Sequence, residues 1–239
     1  MRILGIETAT SVCAAALAVD GTVVAEQTLD QKYVHAEKLL TFIDQVLTAG
    51  GTSLGELDAV AVSAGPGSFT GLRIGLSVAK GLVYAKEIPL VAVPTLEALA
   101  HRAQTVAREG PEELLLPILD ARREDVYCQL FRRQGDRALP LGEVRDCTLD
   151  EIVSDVAGRS VLVTGDATPK LGTYLLSLPE GAQKPFRLLD PERARCSAGS
   201  VALLGADLVA RHRVDDPVTL EPRYIKEFFL TTHQHHKGT

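Results

Sequence analysis

The sequence lacks any apolar stretch long enough to cross a membrane as a helix. No run approaches the roughly 18 apolar residues that such a helix needs, and residues 1–7 do not form the uninterrupted apolar stretch of a secretory signal. Low-complexity tracts are missing too, while 46% of the 239 residues are hydrophobic and 23% are charged. We therefore expect a soluble, cytoplasmic, globular protein with one large or two small cores and no membrane partner.

Cysteine pairs of the CxxC type are also absent. The four cysteines are scattered along the chain, at Cys13, Cys128, Cys147 and Cys196. This distribution argues against a zinc site and is compatible with reduced thiols in a cytosolic core. We expect each cysteine to pack as a small hydrophobic residue.

A clustered basic surface is lacking as well. The formal net charge is −6, and the arginine pairs at 122–123 and 132–133 are mixed with acidic residues. Tight binding to nucleic acid requires positive charge concentrated against the phosphates. The composition therefore predicts that this chain does not bind nucleic acid tightly by itself, although a partner could supply the basic surface.

Neither of two well-known phosphate-binding sequences is present. A Walker loop ends in Gly-Lys-Ser/Thr, whereas Gly71 is followed by Leu72 and Arg73. The dinucleotide fingerprint follows the first strand of a βαβ unit, and no glycine cluster follows residues 3–6. These two classes of nucleotide-binding protein are excluded.

Glycine is concentrated in residues 63–75, which read Ser-Ala-Gly-Pro-Gly-Ser-Phe-Thr-Gly-Leu-Arg-Ile-Gly. Apolar segments precede and follow this run, so the pattern predicts a strand, a glycine turn and the start of a helix. Free N–H groups at a helix N-terminus beside glycines suit a phosphate or a carboxylate. The same residues serve equally as a tight turn with Ser68 or Thr70 as N-cap, and we favour this interpretation on the residues alone.

The predicted elements repeat in order. Strands at 3–7, 12–19 and 22–27, with a hairpin at Asp20-Gly21, precede helices at 35–48, 70–86 and 95–108 that alternate with strands at 58–63 and 90–93. After Gly110-Pro111, strands are predicted at 114–119, 125–131, 141–147 and 161–163, with helices at 149–156, 171–178 and 197–212. The repetition predicts an α/β protein with duplicated ribonuclease H-like lobes. We expect a first lobe at 1–109, a smaller second lobe at 110–216, and a segment at 217–239 that returns to the first lobe and ends in a flexible tail.

Several segments set in this order carry a resemblance to a known family. They are Leu-Gly-Ile-Glu-Thr-Ala-Thr-Ser at 4–11, the glycine-rich run with 79–82, Val-Pro-Thr-Leu-Glu-Ala-Leu at 93–99, and residues 119–127, with a weaker match at 221–226. With them the chain resembles the TsaB family, also called YeaZ, the dimerisation subunit of the bacterial machinery that makes N6-threonylcarbamoyladenosine at position 37 of tRNA. The resemblance implies the fold of actin, Hsp70 and sugar kinases, which agrees with the duplicated lobes.

The resemblance also implies partners and a missing site. A TsaB subunit binds and activates a catalytic relative, TsaD, and meets the ATPase TsaE and the tRNA only through the complex. TsaD holds a metal with a His-x-x-x-His pair, whose matching positions here are Thr95 and Leu99, and leucine cannot ligate a metal. We therefore expect no catalytic residue, no metal site and no enzyme activity from this chain alone.

The alternative is a stand-alone enzyme of the same fold, either an ATP-dependent phosphotransferase or a metallopeptidase. Such an enzyme needs a metal or nucleotide site. The six histidines do not rebuild one, because only His233, His235 and His236 cluster, in a polar tail where a frayed end is expected.

A reduced phosphate cradle around Glu7 is a further implication of the resemblance. In the kinase-like fold, an acidic residue that ends the first strand lies near the phosphates. The candidate anion or nucleotide contacts are Glu7, Thr10, Gly65, Gly67, Ser68 and Arg73. For Glu7 we favour a structural role, as a cap or in a salt bridge at the edge of a lobe, so we expect no cofactor beyond a weak nucleotide contact.

Helices 35–48 and 70–86 are the expected partner surface. Gly71, Gly75 and Ala79 recur at four-residue spacing and form a strip of small residues that lets another helix approach closely. The simpler interpretation is that this strip packs on the lobe's own sheet. The resemblance implies that both helices also dock on the equivalent pair of TsaD and, more weakly, on a second copy of this chain. The residues assigned to this interface are Leu39, Ile43, Leu72, Gly75, Leu76, Ala79 and Val83.

Overall fold

The computed structural model describes residues 1–107, 114–121, 123–135, 137–156, 158–179, 181 and 185–225. The predicted lobe boundary at residues 109 and 110 and the histidines at 233, 235 and 236 lie outside these residues. Across the described ranges, no helix is both long and apolar enough to span a bilayer.

The first sheet contains five strands. They are β1 (Arg2–Glu7), β2 (Val12–Val19), β3 (Thr22–Asp30), β4 (Ala59–Ser63) and β5 (Leu90–Val93). Their spatial order is β3-β2-β1-β4-β5, with β1, β2 and β3 antiparallel and with β4 and β5 parallel to β1. The predicted hairpin is confirmed, because Asp20 and Gly21 have φ values of 47° and 79°, as tight turns between antiparallel strands require.

The second sheet repeats this arrangement. Its strands are β6 (Leu114–Asp120), β7 (Asp125–Cys128), β8 (Phe131–Gln134), β9 (Arg137–Pro140), β10 (Arg145–Thr148), β11 (Val161–Thr164) and β12 (Phe186–Leu188). The order β10-β7-β6-β11-β12 again places three antiparallel strands beside two parallel ones, with β8 and β9 as an added hairpin on β6. The predicted duplication is therefore confirmed.

Two predicted strands of the second lobe are wrong in their bounds. Residues 125–131 form parts of two strands, because β7 pairs with β10 whereas β8 turns back to pair with β9. The predicted strand at 141–147 likewise covers residues between two strands, β9 and β10. Alternating apolar residues continue through such a short irregularity, so the pattern does not show the break.

Helices cover both faces of the first sheet. On one face lie α1 (His35–Ala49) and α2 (Phe69–Lys86), whose apolar residues join those of β1, β2 and β4 in one core. On the other lie α3 (Thr95–Val106), which also packs on β6, and a late helix described below. In the second lobe, α4 (Leu149–Val156) and α5 (Thr168–Leu176) pack on the sheet, and α6 (Pro191–Ala194) is a single turn.

The last helix, α7 (Ala198–Ala210), lies on the first sheet rather than in the second lobe to which it was assigned. Val201 and Ala202 share a core with Ile3 and Ala61. An added Cβ on Gly5 of β1 would lie 2.8 Å from the Ala202 backbone nitrogen, so glycine is needed for this close contact. The predicted second lobe, 110–216, therefore includes a helix that completes the first.

Residues 214–225, which we call the C-terminal strap, run back along the first lobe. The N–H of Asp215 donates to the Leu90 carbonyl oxygen at 2.8 Å, and the Asp215 carboxylate accepts from the N–H of Ala92 at 2.8 Å. Further along, the Arg223 N–H donates to the Ala64 carbonyl oxygen at 2.7 Å. The strap therefore follows the edge strand β5 and ends at the turn after β4.

Candidate functional site

The glycine turn, residues 64–67, links β4 to α2 and is enclosed by the chain's own backbone. Gly65 has a φ of 112°, which residues with a side chain rarely adopt, and a Cβ there would lie 2.5 Å from the Arg223 carbonyl oxygen. A Cβ on Gly67 would overlap the Ala9 carbonyl oxygen. Close approach of protein backbone explains both glycines, and an anion contact at these positions stays a prediction.

Ser68 is the N-cap of α2, as predicted for this turn. Its Oγ accepts a hydrogen bond from the Gly71 N–H at 3.2 Å, and its own N–H donates to the Ala9 carbonyl oxygen at 2.6 Å. The Leu72 N–H donates to the Ser68 carbonyl oxygen at 2.9 Å. These bonds occupy several amides that an anion would otherwise contact, which favours the turn interpretation of the segment.

Glu7 ends β1 and has no exposed surface. Its Oε1 accepts hydrogen bonds from the Ala9 N–H at 2.6 Å and from the Ser63 hydroxyl at 3.1 Å, whereas Oε2 has no partner among the described residues. Burial raises the pKa of the Glu7 carboxyl to about 7; the two hydrogen bonds oppose the rise, and the Asp166 carboxylate adds to it. Glu7 therefore caps the β1–β2 turn from a buried position.

Thr10 also supports the β1–β2 turn. Its side chain is nearly buried, and its Oγ1 accepts a hydrogen bond from the Val12 N–H at 3.2 Å. This bond fixes the start of β2 two residues further along the chain. Anion contact by Thr10 stays a prediction.

The strip formed by Gly71, Gly75 and Ala79 faces the chain's own sheet. A Cβ on Gly71 would overlap the Thr8 carbonyl oxygen, and one on Gly75 would overlap the Thr8 hydroxyl. Ala79 has no exposed surface. The small residues therefore bring α2 against the end of β1, and they are not open to a partner helix.

The structure corrects the residues assigned to the partner surface. All seven residues are buried, because they form the stripe that each helix presents to the sheet. They cannot form a docking surface in this conformation. The residues that must be removed from the predicted interface are Leu39, Ile43, Leu72, Gly75, Leu76, Ala79 and Val83.

The opposite sides of the same helices form what we call the outer helical face. It consists of the exposed residues Glu37, Leu40, Thr41, Asp44, Arg73, Ser77, Gly81 and Tyr84. Leu40 is 59% exposed and Tyr84 is 61% exposed. Such exposure is unfavourable, because moving a large apolar side chain out of water lowers the free energy. The predicted interface omits both residues. Leu40 falls within the apolar spacing of α1 but is exposed, whereas Tyr84 lies outside the buried stripe of α2.

Arg73 lies at the start of the outer helical face and contacts the C-terminal strap. Its guanidinium carbon lies 3.7 Å from the centre of the Phe69 ring, and its Nε donates to the Tyr224 hydroxyl at 3.0 Å. The Phe69 and Tyr224 rings are 5.0 Å apart between centres. Arg73 therefore joins α2 to the strap through a cation–π contact and a hydrogen bond, and its contact with an anion stays a prediction.

A pair of carboxylates in the second lobe includes Asp166, whose charge acts on Glu7. The backbone N–H of Asp120, at the end of β6, donates to Asp166 Oδ1 at 2.9 Å, and Lys170 Nζ lies 3.2 Å from Asp120 Oδ1. Enclosure by the surrounding protein, with the Asp120 carboxylate, raises the pKa of Asp166 to about 6, although solvent reaches the residue. Sequence reasoning missed this pair. The duplication was the signal, because Asp120 ends the first strand of its lobe as Glu7 does.

Thr95 and Leu99, the positions that the resemblance matches to a histidine pair, are both buried on the inner side of α3. The Thr95 hydroxyl accepts a hydrogen bond from the Gly65 N–H at 3.2 Å, and Leu99 belongs to the core between the lobes. Over the described part of the chain, no group of three or more His, Cys, Asp or Glu side chains is arranged to hold a metal ion. These side chains therefore support packing, and their match to a metal-binding histidine pair stays a prediction.

Comparison with known proteins assigns the family. A family model described as TsaD: tRNA N6-adenosine threonylcarbamoyltransferase matches residues 22–160. The curated tRNA threonylcarbamoyladenosine biosynthesis protein TsaB of Escherichia coli (strain K12) is 39% identical over 179 residues, which cover 72% of this chain and 75% of that protein. The chain belongs to the TsaB family.

Other members and relatives of the TsaB family agree with this assignment. The TsaB protein of Haemophilus influenzae is 33% identical over 138 residues, covering 58% of this chain and 57% of its own. The tRNA N6-adenosine threonylcarbamoyltransferase of Erythrobacter litoralis is 31% identical over 190 residues, which span 71% of this chain and 52% of that protein. This chain is thus similar to about half the length of that transferase.

Solved structures confirm the predicted fold of the TsaB family. YeaZ from Pseudomonas aeruginosa superposes with a TM-score of 0.77 at 26% identity, over 94% of this chain and 99% of its own. Component A of the Acidaminococcus fermentans (R)-2-hydroxyglutaryl-CoA dehydratase, at 11% identity and a TM-score of 0.50, covers 88% of this chain and 99% of its own and shares the fold alone. The predicted resemblance and the duplicated actin-like fold are both confirmed.

Proposed function

We propose that this chain acts in the biosynthesis of tRNA threonylcarbamoyladenosine as a non-catalytic subunit that binds and activates TsaD. The observation that carries the proposal is the outer helical face. Its two helices are held from beneath by a continuous core, while Leu40 and Tyr84 expose most of their apolar surface. Burying such side chains against a partner stabilises a complex, because it removes apolar area from water.

The surroundings of Thr95, Leu99 and Glu7 support a role without catalysis. Thr95 and Leu99 are buried packing residues where TsaD has its histidines. Glu7 and Asp166, the carboxylates near the β1–β2 turn, have raised pKa values of about 7 and about 6, so their surroundings disfavour negative charge. A bound phosphate group would add further negative charge beside these carboxylates. We therefore propose no resident cofactor and at most a weak nucleotide contact.

A homologous partner explains how the two helices dock. TsaD has the same fold and presents an equivalent helix pair, so the two proteins meet through a pseudo-two-fold arrangement. On the outer helical face, α1 exposes Glu37 and Asp44 whereas α2 exposes Arg73. Placing α1 opposite α2 of a second copy therefore brings opposite charges together. A homodimer weaker than the complex with TsaD follows, and TsaE and tRNA are engaged through that complex.

The test combines two substitutions on the outer helical face, Leu40→Asp and Tyr84→Asp. We expect the double variant to lose binding to TsaD by at least about 100-fold, because two desolvated apolar contacts become buried charges. Size exclusion of the mixture and threonylcarbamoyl transfer to tRNA, with TsaD and TsaE supplied, measure binding and activation. The matched control is Leu176→Asp, since Leu176 is 75% exposed on α5 of the second lobe.

Either of two outcomes would overturn the proposal. If the double variant bound and activated TsaD as well as the Leu176→Asp control does, the outer helical face would not be the docking surface. If the unchanged chain transferred threonylcarbamoyl or hydrolysed ATP alone at the rate of the complete mixture, it would be an enzyme in its own right.

A further inference from the structure

Two cysteines of the second lobe lie in direct contact. Cys128 ends β7 and Cys147 lies on the neighbouring antiparallel strand β10, and their sulfur atoms are 2.7 Å apart. Both side chains are buried, at 1% and 5% exposure. Neighbouring antiparallel strands bring side chains on one face close enough to react, whereas the spacing along the sequence gave no sign of this pair.

A small cavity borders one residue of the pair. It has a volume of about 30 Å³ and is lined by Cys128 together with Arg145, Asp155 and Arg159. Cys147 does not line it. A cavity of this size holds roughly one water molecule, so a molecule as small as hydrogen peroxide fits beside Cys128 whereas a peptide or glutathione does not.

The surroundings of the two thiols favour Cys128 as the nucleophile, although burial and the Asp155 carboxylate oppose the shift of its pKa. The hydrogen bond with Cys147, and after it the Arg145 guanidinium, holds the pKa of the Cys128 thiol below its usual range. The pKa of the Cys147 thiol is raised, first by the same hydrogen bond and then by burial. Because the thiolate is the reactive form, the cysteine that lines the cavity is also the one whose thiol loses its proton more readily.

We propose that Cys128 and Cys147 form a redox-active dithiol that hydrogen peroxide oxidises to a reversible disulfide. The Cys128 thiolate attacks one peroxide oxygen, the O–O bond breaks, and the hydroxide released takes up the proton that Cys128 has lost, giving water and a Cys128 sulfenic acid. Cys147 then attacks that sulfur, the S–O bond breaks, and the leaving hydroxide takes the Cys147 proton. Two thiols lose two electrons in total, and one peroxide becomes two waters.

The disulfide ties the edge of the second sheet to its interior. β10 is the outermost strand, and the bond closes a loop that contains β8 and β9. Cross-linking such a loop restricts the unfolded chain and stabilises the fold. Oxidation therefore stabilises the second lobe, and a small dithiol such as dithiothreitol reverses the effect.

Peroxide treatment of the full-length reduced chain tests the proposal. After quenching, alkylation and peptide mapping measure each thiol, and we expect Cys128 and Cys147 to be lost together while Cys13 and Cys196 stay reduced. Cys128→Ser should abolish the reaction. Cys147→Ser should accumulate a sulfenic acid that dimedone traps, whereas Cys196→Ser, a change at another buried cysteine, should leave the disulfide unaffected. Arg145→Gln should slow the loss of both thiols, because the guanidinium favours the Cys128 thiolate.

The peptide map of the unchanged chain tests whether Cys128 and Cys147 form the dithiol even if a serine variant fails to fold. Equal loss of all four thiols would overturn the proposal, since it would show that the pair has no special reactivity. So would oxidation of Cys128 to sulfinic acid with Cys147 still reduced. Recovery of both thiols by dithiothreitol, together with retention of Cys13 and Cys196, would establish the dithiol.

Discussion

Glu7 shows how a single buried group couples the fold to pH. Its side chain has no exposed surface, and hydrogen bonds reach only one carboxylate oxygen among the described residues. The folded chain therefore binds the Glu7 proton more tightly than water-exposed glutamate does, and the pKa rises from 4.5 to about 7. At neutral pH, ionisation of Glu7 inside the fold lowers the stability of the folded chain.

We expect Glu7→Gln to flatten the dependence of stability on pH. Because the folded pKa lies above the unfolded one, the native chain holds more protons between these values, and stability falls as pH rises from about 4.5 to about 7. The shift corresponds to about 3 kcal/mol. Urea unfolding at pH 5 and pH 8 measures the difference. The exposed control Glu143→Gln should leave the pH dependence unchanged, and an equally steep loss of stability in Glu7→Gln would assign it to other groups.

At the scale of the element, α2 uses its glycines in different ways. Gly71 and Gly75 allow contact with Thr8, whereas a Cβ on Gly81 would meet nothing within 4 Å. Gly81 is exposed on the outer helical face. A glycine within a helix costs free energy because of its backbone freedom, and only the first two offset this cost by packing in the lobe itself.

Alanine substitutions along α2 separate these roles. Gly75→Ala should destabilise the chain by about 2 kcal/mol, because the new methyl group overlaps the Thr8 hydroxyl. Gly81→Ala should stabilise it by up to about 1 kcal/mol through helix propensity alone. Thermal unfolding of the two variants measures both effects. Equal shifts in the same direction would mean that Thr8 does not limit the approach of α2.

The sequence predicted the helices but not the direction of their faces. The spacing of Leu39 and Ile43 correctly marks one apolar stripe on α1, yet a stripe looks the same whether it covers a sheet or a partner. The resemblance to a dimerisation subunit led to the prediction that the stripe covers a partner. Burial of its residues shows that it covers the sheet. Leu40 has the spacing of the α1 stripe and is nevertheless exposed, whereas Tyr84 lies off the stripe of α2, so a period of 3.6 residues identifies neither as part of an outer surface.

At the scale of the whole molecule, the first lobe depends on residues from the end of the chain. Helix α7 covers one face of β1 and β4, and the C-terminal strap bonds to β5 and the glycine turn. Duplication was visible in the sequence because each lobe repeats the order of its elements. The sequence did not show where α7 packs, because an apolar helix has the same pattern whichever sheet it covers.

This dependence predicts that residues 1–107 do not fold alone. Without α7, Ile3 and Ala61 would face water on one side of the sheet, and exposed apolar area of this kind destabilises a small domain. We expect the fragment to lack a cooperative unfolding transition in thermal circular dichroism. Joining residues 197–225 to it through a flexible linker should restore the transition, and cooperative unfolding of the unextended fragment would show that the cover is dispensable.

The position of α7 also determines when the protein can fold during its synthesis. Gly5 emerges from the ribosome early, but the helix that packs against it is translated only after the whole second sheet. The first lobe therefore cannot complete its core until the second lobe has been translated, although domains generally fold in the order of their synthesis. During synthesis there is therefore a long interval in which β1 and β4 lack the apolar cover that α7 provides.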